Sequence, residues 1–319
     1  MIITHEYPVC EYDTARDPII HPTDFLDKCL PKKCIITFFR KELEKFAGEH
    51  KLPVIGQLHS EVLDIPIYKY ENGENPLCIT MPFSTAPGAA GTIEELHAMG
   101  CETFVVCGAA GALTQGSTLG EIILPASAIR DEGTSFHYIA PSREISCHKE
   151  ALEKAQRALS EMGVPFVLGK TWTTDAMYRE TPEMIARRRD EGCVTVEMET
   201  AAFFAVAKYY NIPLVQLLYV GDDVSGTAWD PRGWNTQKNR PGKLDRLLHR
   251  TGSENIKKPV ILRITGFFGA VTQIRTGDLI LTKDALYRLS YNSISHAPDE
   301  GGMVATEKGL EPSTSSVTG

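Results

Sequence analysis

The sequence has 319 residues, of which 42% are hydrophobic and 23% charged, and its formal net charge is −8. This is the composition of a soluble globular protein, and about 250 residues suffice for one α/β domain with a sizeable core. The net negative charge argues against a nucleic-acid partner, because a protein that binds nucleic acid needs a basic face. No apolar run reaches the ~18 residues of a membrane span.

Apolar runs alternate with amphipathic stretches along most of the chain. Runs typical of strands are 34–38, 53–59, 62–70, 77–81, 103–107, 121–128, 164–171, 194–197 and 214–220. Stretches typical of helices are 40–49, 89–99, 146–162, 183–191, 200–210 and 243–250. This alternation predicts an α/β fold with a central mixed sheet flanked by helices on both faces.

Composition suggests three parts: an N-terminal segment 1–33, a main domain 34–250 and an extension 251–319. The extension has apolar residues without a sustained helix or strand period and ends in a Ser/Thr-rich stretch, so we expect it to be poorly ordered. The polar N-terminus is not typical of a secretory signal, and we expect a cytoplasmic protein.

The eight cysteines are scattered, without a Cys-x-x-Cys pair, and the nine histidines lack a His-Glu-x-x-His spacing. Several cysteines lie inside apolar runs, which favours buried free thiols over disulfides or a zinc site. The sequence therefore predicts neither a metal nor another cofactor.

The strongest local signal is a short β-branched strand that runs into Val196-Glu197-Met198-Glu199 and then into an Ala-rich helix. On an extended backbone Glu197 and Glu199 face the same way. Buried carboxylates need donors, and the vicinal hydroxyls of a ribose are a paired donor set. The alternative is that Glu199 caps the helix at Thr200 and Glu197 is half exposed.

Two further strand ends carry candidate groups. Gly108-Ala109-Ala110-Gly111 follows an apolar strand and predicts a tight turn whose backbone N–H groups could approach an anion or a sugar. Asp222 ends the strand 214–220. A carboxyl group there could serve as a general acid, or simply be a solvated turn residue.

Four motifs occur in the order and spacing of a known family. The first comprises 104–112 (FVVCGAAGA) and the nearby 120–125 (GEIILP), and the other three are 173–178 (TTDAMY), 196–199 (VEME) and 218–223 (LYVGDD). In these the chain resembles the uridine phosphorylase and hexameric purine nucleoside phosphorylase family, which includes nucleosidases. The resemblance runs from about Cys34 to Asp223 and implies a single domain with a partly barrel-like sheet.

The resemblance implies a role for each matching residue. Glu199 would bind the ribose hydroxyls with Met198 under the sugar, and Asp222 would protonate a departing purine. The remaining residues assigned to substrate binding are Val196, Glu197, Met177, Tyr178, Gly108, Ala109, Gly111 and His21. His21, with His5 as competitor, matches a histidine lent to the sugar's 5′ hydroxyl across a dimer interface, so a homo-oligomer (dimer or hexamer) is implied.

The chain departs from the family where phosphate binds. Phe38 stands for a glycine and Glu42 for an arginine of the first phosphate-binding turn, while Val106 replaces a second arginine and Ala109 a hydroxyl residue. An acid and apolar groups cannot neutralise a phosphate dianion. Arg40, Lys41 and Arg130 are the remaining cations that could substitute.

Three functions stay open. The family implies phosphorolysis of a nucleoside, with phosphate as co-substrate and ribose 1-phosphate as product. The residues favour hydrolysis instead, with Glu42 orienting the water, and loss of the arginines also fits a non-catalytic nucleoside-binding homologue. The uracil-recognising Gln/Arg pair is replaced by Thr181 and Glu183, so a purine is favoured over a pyrimidine.

Overall fold

The computed structural model describes residues 1–71 and 76–232. The strands are β1 Ile2–Ile3, β2 Tyr12–Asp13, β3 Lys33–Thr37, β4 Val54–His59, β5 Asp64–Tyr70, β6 Leu77–Thr80, β7 Thr103–Ala112, β8 Ile122–Asp131, β9 Glu144–Ser146, β10 Val167–Thr174, β11 Cys193–Glu197 and β12 Leu214–Asp223. The helices are α1 Arg40–Glu49, α2 Thr85–Ala98, α3 Ser135–Tyr138, α4 Lys149–Glu161, α5 Pro182–Asp190 and α6 Thr200–Tyr210. The predicted helix 243–250 and the extension 251–319 lie outside the described residues.

One mixed sheet organises the domain, with the strand order β11-β10-β8-β12-β7-β3-β6-β5-β4. Its centre is parallel, because β3, β7 and β12 run the same way. These strands are almost wholly buried runs of Val, Ile, Leu and Cys, as expected when helices cover both faces. The predicted mixed α/β sheet is confirmed.

The sheet closes on itself at one end. β11 pairs antiparallel with β7, through Val196 opposite Gly111, so that β7, β11, β10, β8 and β12 form a small barrel. This closure requires a long β7, which continues to Ala112. The predicted tight turn at Gly108–Gly111 is therefore wrong: the segment is extended and pairs with β12 and β11.

The helices follow the predicted patterns with shifted ends. α4 buries Ala151, Ala155, Ala158 and Leu159, but it begins at Lys149 and not at the predicted residue 146, because residues 144–146 pair with β8 as β9. α6 is apolar nearly all round and its first eight residues are buried. No helix within the described parts of the chain is both long and apolar enough to cross a membrane.

Candidate active site

Glu197 ends β11 and is a buried carboxylate held by the protein itself. One oxygen accepts from Thr173 Oγ1 at 2.6 Å, and the other accepts the backbone N–H groups of Glu199 and Thr200 at 2.7 and 2.6 Å. Burial raises the pKa of Glu197 and these hydrogen bonds oppose the shift. Glu197 thus caps the start of α6, and we propose a structural role for it in place of the predicted ligand contact.

Removing this carboxylate should destabilise the fold. Glu197→Ala leaves three buried donors without an acceptor, each costing about 1–3 kcal/mol, so we expect the free energy of unfolding to fall by at least ~3 kcal/mol. Urea unfolding of Glu197→Ala beside Glu183→Ala, an exposed glutamate of α5, measures the effect. A loss under ~1 kcal/mol would contradict the capping role.

Glu199 is oriented differently from Glu197. The strand has ended, and Glu199 has φ −137° and ψ −26° as the residue before α6, so the predicted alternation of an extended chain does not apply. Its Oε1 accepts the backbone N–H of Thr85 at 2.8 Å. Burial, and then the charge of Glu197, raise the pKa of Glu199 to about 7.

Thr85, the first residue of α2, donates its backbone N–H to Glu199 from a strained backbone conformation. Its φ is +72°, a value that a β-branched residue rarely adopts. Such strain is typical of functional sites. The sequence gives no signal for it, because nothing in the Ser-Thr-Ala run around residue 85 marks a left-handed residue.

Asp222 lies across the barrel closure from β11. A Cβ added to Gly111 would be 3.4 Å from Asp222 Oδ1 and 3.2 Å from Val196 Cγ1, so these three residues meet and Gly111 leaves room for the carboxylate. Trp229 Nε1 donates to Asp222 Oδ2 at 2.7 Å. We call Gly111, Val196 and Asp222, together with Met198 and Glu199 that follow Val196 along the chain, the strand-end site.

Glu180 is a second acid facing Asp222, and the sequence analysis missed it. It follows the 3-10 helix Met177–Arg179 and is partly buried. Burial, and then the charge of Asp222, raise the pKa of Glu180 to about 7. Because of this raised pKa, Glu180 can hold a proton near neutral pH and form a hydrogen bond to a base as donor or acceptor.

Phe38, expected from the resemblance to replace a phosphate-binding glycine, follows β3 and lies against Gly108. Its backbone N–H bonds to Cys107 O at 3.1 Å, and its ring Cδ2 would be 3.3 Å from a Cβ on Gly108. The ring also packs edge-on against Phe203, one turn into α6 from Glu199. An apolar ring therefore lies on β7 at the same end of the sheet as the strand-end site.

Gln216 lies next to this ring and was not foreseen. Its side chain is buried, with Nε2 3.6 Å from the Cβ position of Gly108. Its Oε1 has no hydrogen-bond partner within residues 1–71 and 76–232. An unpaired buried amide calls for a ligand or a water.

The three cations proposed to replace the missing arginines are engaged elsewhere or exposed. Arg130 donates to Ser135 Oγ, Ser142 Oγ and two backbone carbonyls. Arg40 pairs with Glu44 at 2.8 Å, and Lys41 is exposed. None of these contacts directs a positive charge to Gly108.

The other predicted residues are spread around the site. Met198 and Ala109 are half-buried, while Met177 and Tyr178 are 49% and 93% exposed in the single chain. Glu42, in the first turn of α1, is half-buried, and burial raises its pKa. His21 precedes the 3-10 helix Pro22–Asp24 with its Nε2 3.2 Å from Asp17.

The chain is similar to several known proteins. The sequence profile of the family described as "Phosphorylase superfamily" matches residues 32–242. A guanosine phosphorylase of Halorubrum lacusprofundi is 32% identical over 164 residues, 51% of this chain and 67% of the relative. A uridine phosphorylase of Thermococcus kodakarensis is 27% identical over 181 residues, 51% of this chain and 65% of the relative. The chain thus spans about two thirds of these relatives.

Two solved structures share the fold. The uridine phosphorylase of Vibrio fischeri ES114 aligns over 88% of this chain and 100% of its own, with a TM-score of 0.56 and 16% identity. The AMP nucleosidase of Bacteroides thetaiotaomicron aligns over 60% of this chain and 81% of its own, with a TM-score of 0.53 and 24% identity.

Proposed function

Because this chain belongs to the phosphorylase superfamily, we propose that it is an enzyme that cleaves the N-glycosidic bond of a purine-type nucleoside. The observation that carries the proposal is Glu199, a half-buried carboxylate with a pKa raised to about 7 that accepts the backbone N–H of Thr85. Its remaining acceptor capacity suits the 2′ and 3′ hydroxyls of a ribose. Met198 would then lie under the sugar.

Asp222 assists departure of the base. Cleavage proceeds towards an oxocarbenium-like sugar, and electrons of the broken bond pass to the leaving base. A proton from the Asp222 carboxyl group to a ring nitrogen neutralises this charge. Glu180 beside it can accept a ring N–H of the base, such as that of guanine or hypoxanthine. A purine is favoured over uracil because the uracil-recognising Gln/Arg pair is replaced by Thr181 and Glu183.

Water is the nucleophile that the residues around Gly108 support best. Phe38 lies where phosphate would approach, and Arg130 and Arg40 are held by other partners. The neutral amide of Gln216 can bind water but cannot neutralise a dianion. Glu42, with its pKa raised by burial, would accept the proton of that water, so the products are the free base and ribose.

Phosphorolysis is the second candidate. It is favoured by the names of the matched relatives, a guanosine phosphorylase and a uridine phosphorylase. In that reaction phosphate attacks the sugar and ribose 1-phosphate is released. Family resemblance also supports a homo-oligomer, with His21 completing the site of a neighbouring subunit.

Base release from a nucleoside panel, with and without phosphate, separates these functions. We expect guanosine or inosine to be cleaved in phosphate-free buffer, with less than twofold acceleration by added phosphate. Glu42→Gln should abolish hydrolysis, whereas Glu44→Gln, an exposed acid on the same helix, should not. Strict dependence on phosphate would establish phosphorolysis, and tight binding without release would show a non-catalytic homologue.

A further inference from the structure

Three cysteine thiols meet in the core at the opposite end of β3 from Phe38. Cys34, Cys78 and Cys101 are each 0% exposed, and their three Sγ atoms lie within 4.8 Å of one another. Cys78 Sγ and Cys101 Sγ are 3.5 Å apart. The cluster has no part in the proposed cleavage reaction.

The sheet topology brings the thiols together. Cys34 and Cys78 are register partners on the parallel strands β3 and β6, so their side chains leave the same face. Cys101 follows α2, and its Sγ lies 3.3 Å from Pro31 O. The three positions are far apart in sequence, which is why their spacing predicts no metal site.

The arrangement has the dimensions of a three-sulfur metal site. Three thiolates bound to one ion at about 2.3 Å each lie roughly 3.8–4 Å apart. The cluster fits this separation with small side-chain shifts, and all three ligand atoms that it offers are sulfur. A set of soft ligands selects thiophilic ions.

We propose that Cys34, Cys78 and Cys101 bind one thiophilic d10 metal ion, with Cu(I) favoured because three sulfurs complete its coordination. Zn(II) needs a fourth ligand. Exposed Cys29 is next to the cluster in the fold, because Cys29 N–H and Leu30 N–H both bond to Met99 O at 3.0 Å. Cys29 offers an entry point for the ion, and the displaced thiol protons pass to solvent.

Metal titration of the reduced, chelator-treated full chain tests the site. Cu(I), supplied anaerobically as a weak complex, and Zn(II) are added separately, and retained metal and the thiolate-to-metal charge-transfer band are measured after desalting. We expect one equivalent of Cu(I) per chain, lost in Cys78→Ala and kept in Cys147→Ala, a buried cysteine outside the cluster. One equivalent of Zn(II) with the same mutational pattern supports the site with zinc as its ion.

The proposal would be overturned if Cys78→Ala still retained one equivalent of metal, if Cys147→Ala lost as much metal as Cys78→Ala, or if the wild-type chain retained none. So would a disulfide, seen as a mass two hydrogens lower without metal. If Cys78→Ala does not fold, X-ray absorption of the loaded wild-type chain decides. Three sulfur neighbours at about 2.3 Å, joined by a fourth ligand if the ion is Zn(II), support the site, and fewer than three sulfurs refute it.

Discussion

Glu199→Gln is expected to lower kcat/KM for a ribonucleoside about 10²–10⁴-fold without unfolding the protein. A vicinal diol donates two hydrogen bonds to the carboxylate, and bonds to a charged group contribute about 1.5–3 kcal/mol each. The amide keeps an oxygen for Thr85 N–H but loses the charge. Steady-state kinetics, with circular dichroism as a folding check and Glu183→Gln as the exposed control, measure the effect.

The same substitution should stabilise the ligand-free protein at high pH. The pKa of Glu199 is raised from 4.5 to about 7 in the folded chain, so the protonated form favours the native state. Its contribution to stability is full below about pH 4.5 and is lost as pH rises through about 7. Glu199→Gln should therefore have the higher Tm at pH 8 and match the wild type near pH 4.5. A lower Tm at pH 8 would contradict this.

Asp222→Asn is expected to lower kcat for purine nucleosides by about 10²–10⁴, the usual contribution of a positioned general acid, with little change in KM. The amide can still accept the Trp229 Nε1 hydrogen bond, but it cannot deliver a proton. A p-nitrophenyl riboside departs without protonation and should be cleaved by this variant at nearly the wild-type rate.

The neighbouring acid provides the control. Asp223 accepts hydrogen bonds from Ser225 N–H at 2.7 Å and from Arg232. Burial alone would raise the pKa of Asp223, but these partners hold the pKa below its usual value. Asp223→Asn should therefore reduce stability while kcat changes only a few-fold. If Asp222→Asn slows both substrates equally, Asp222 positions the substrate and is not the acid.

Most secondary structure could be predicted because the hydrophobic period is strong. The helices 40–49 and 200–210 have the predicted bounds. Gly100, Gly163 and Gly192 each follow a helix with φ between +65° and +115°, as the predicted helix ends require. The match of residues 32–242 to the phosphorylase superfamily confirms the family that the four motifs indicate.

The parts that could not be predicted depend on contacts between distant residues. A glycine-rich stretch reads as a turn, but β11 and β12 hold Gly108–Gly111 as a strand. Glu197 and Glu199 look equivalent in sequence. In the fold, however, Thr173 and the start of α6 donate hydrogen bonds to Glu197 and not to Glu199. The opposing Glu180, the unpaired Gln216 amide and the cysteine cluster likewise arise from topology.

A double-mutant cycle between Glu199 and the sugar tests the central contact most directly. Dissociation constants of guanosine and 2′,3′-dideoxyguanosine are measured for Asp222→Asn and for the double variant Asp222→Asn/Glu199→Gln, in which slow turnover leaves time to measure binding. The loss of affinity caused by Glu199→Gln should be at least about tenfold for guanosine and absent for the dideoxy compound. An equal loss for both compounds, or none for either, would show that Glu199 does not bind the ribose hydroxyls.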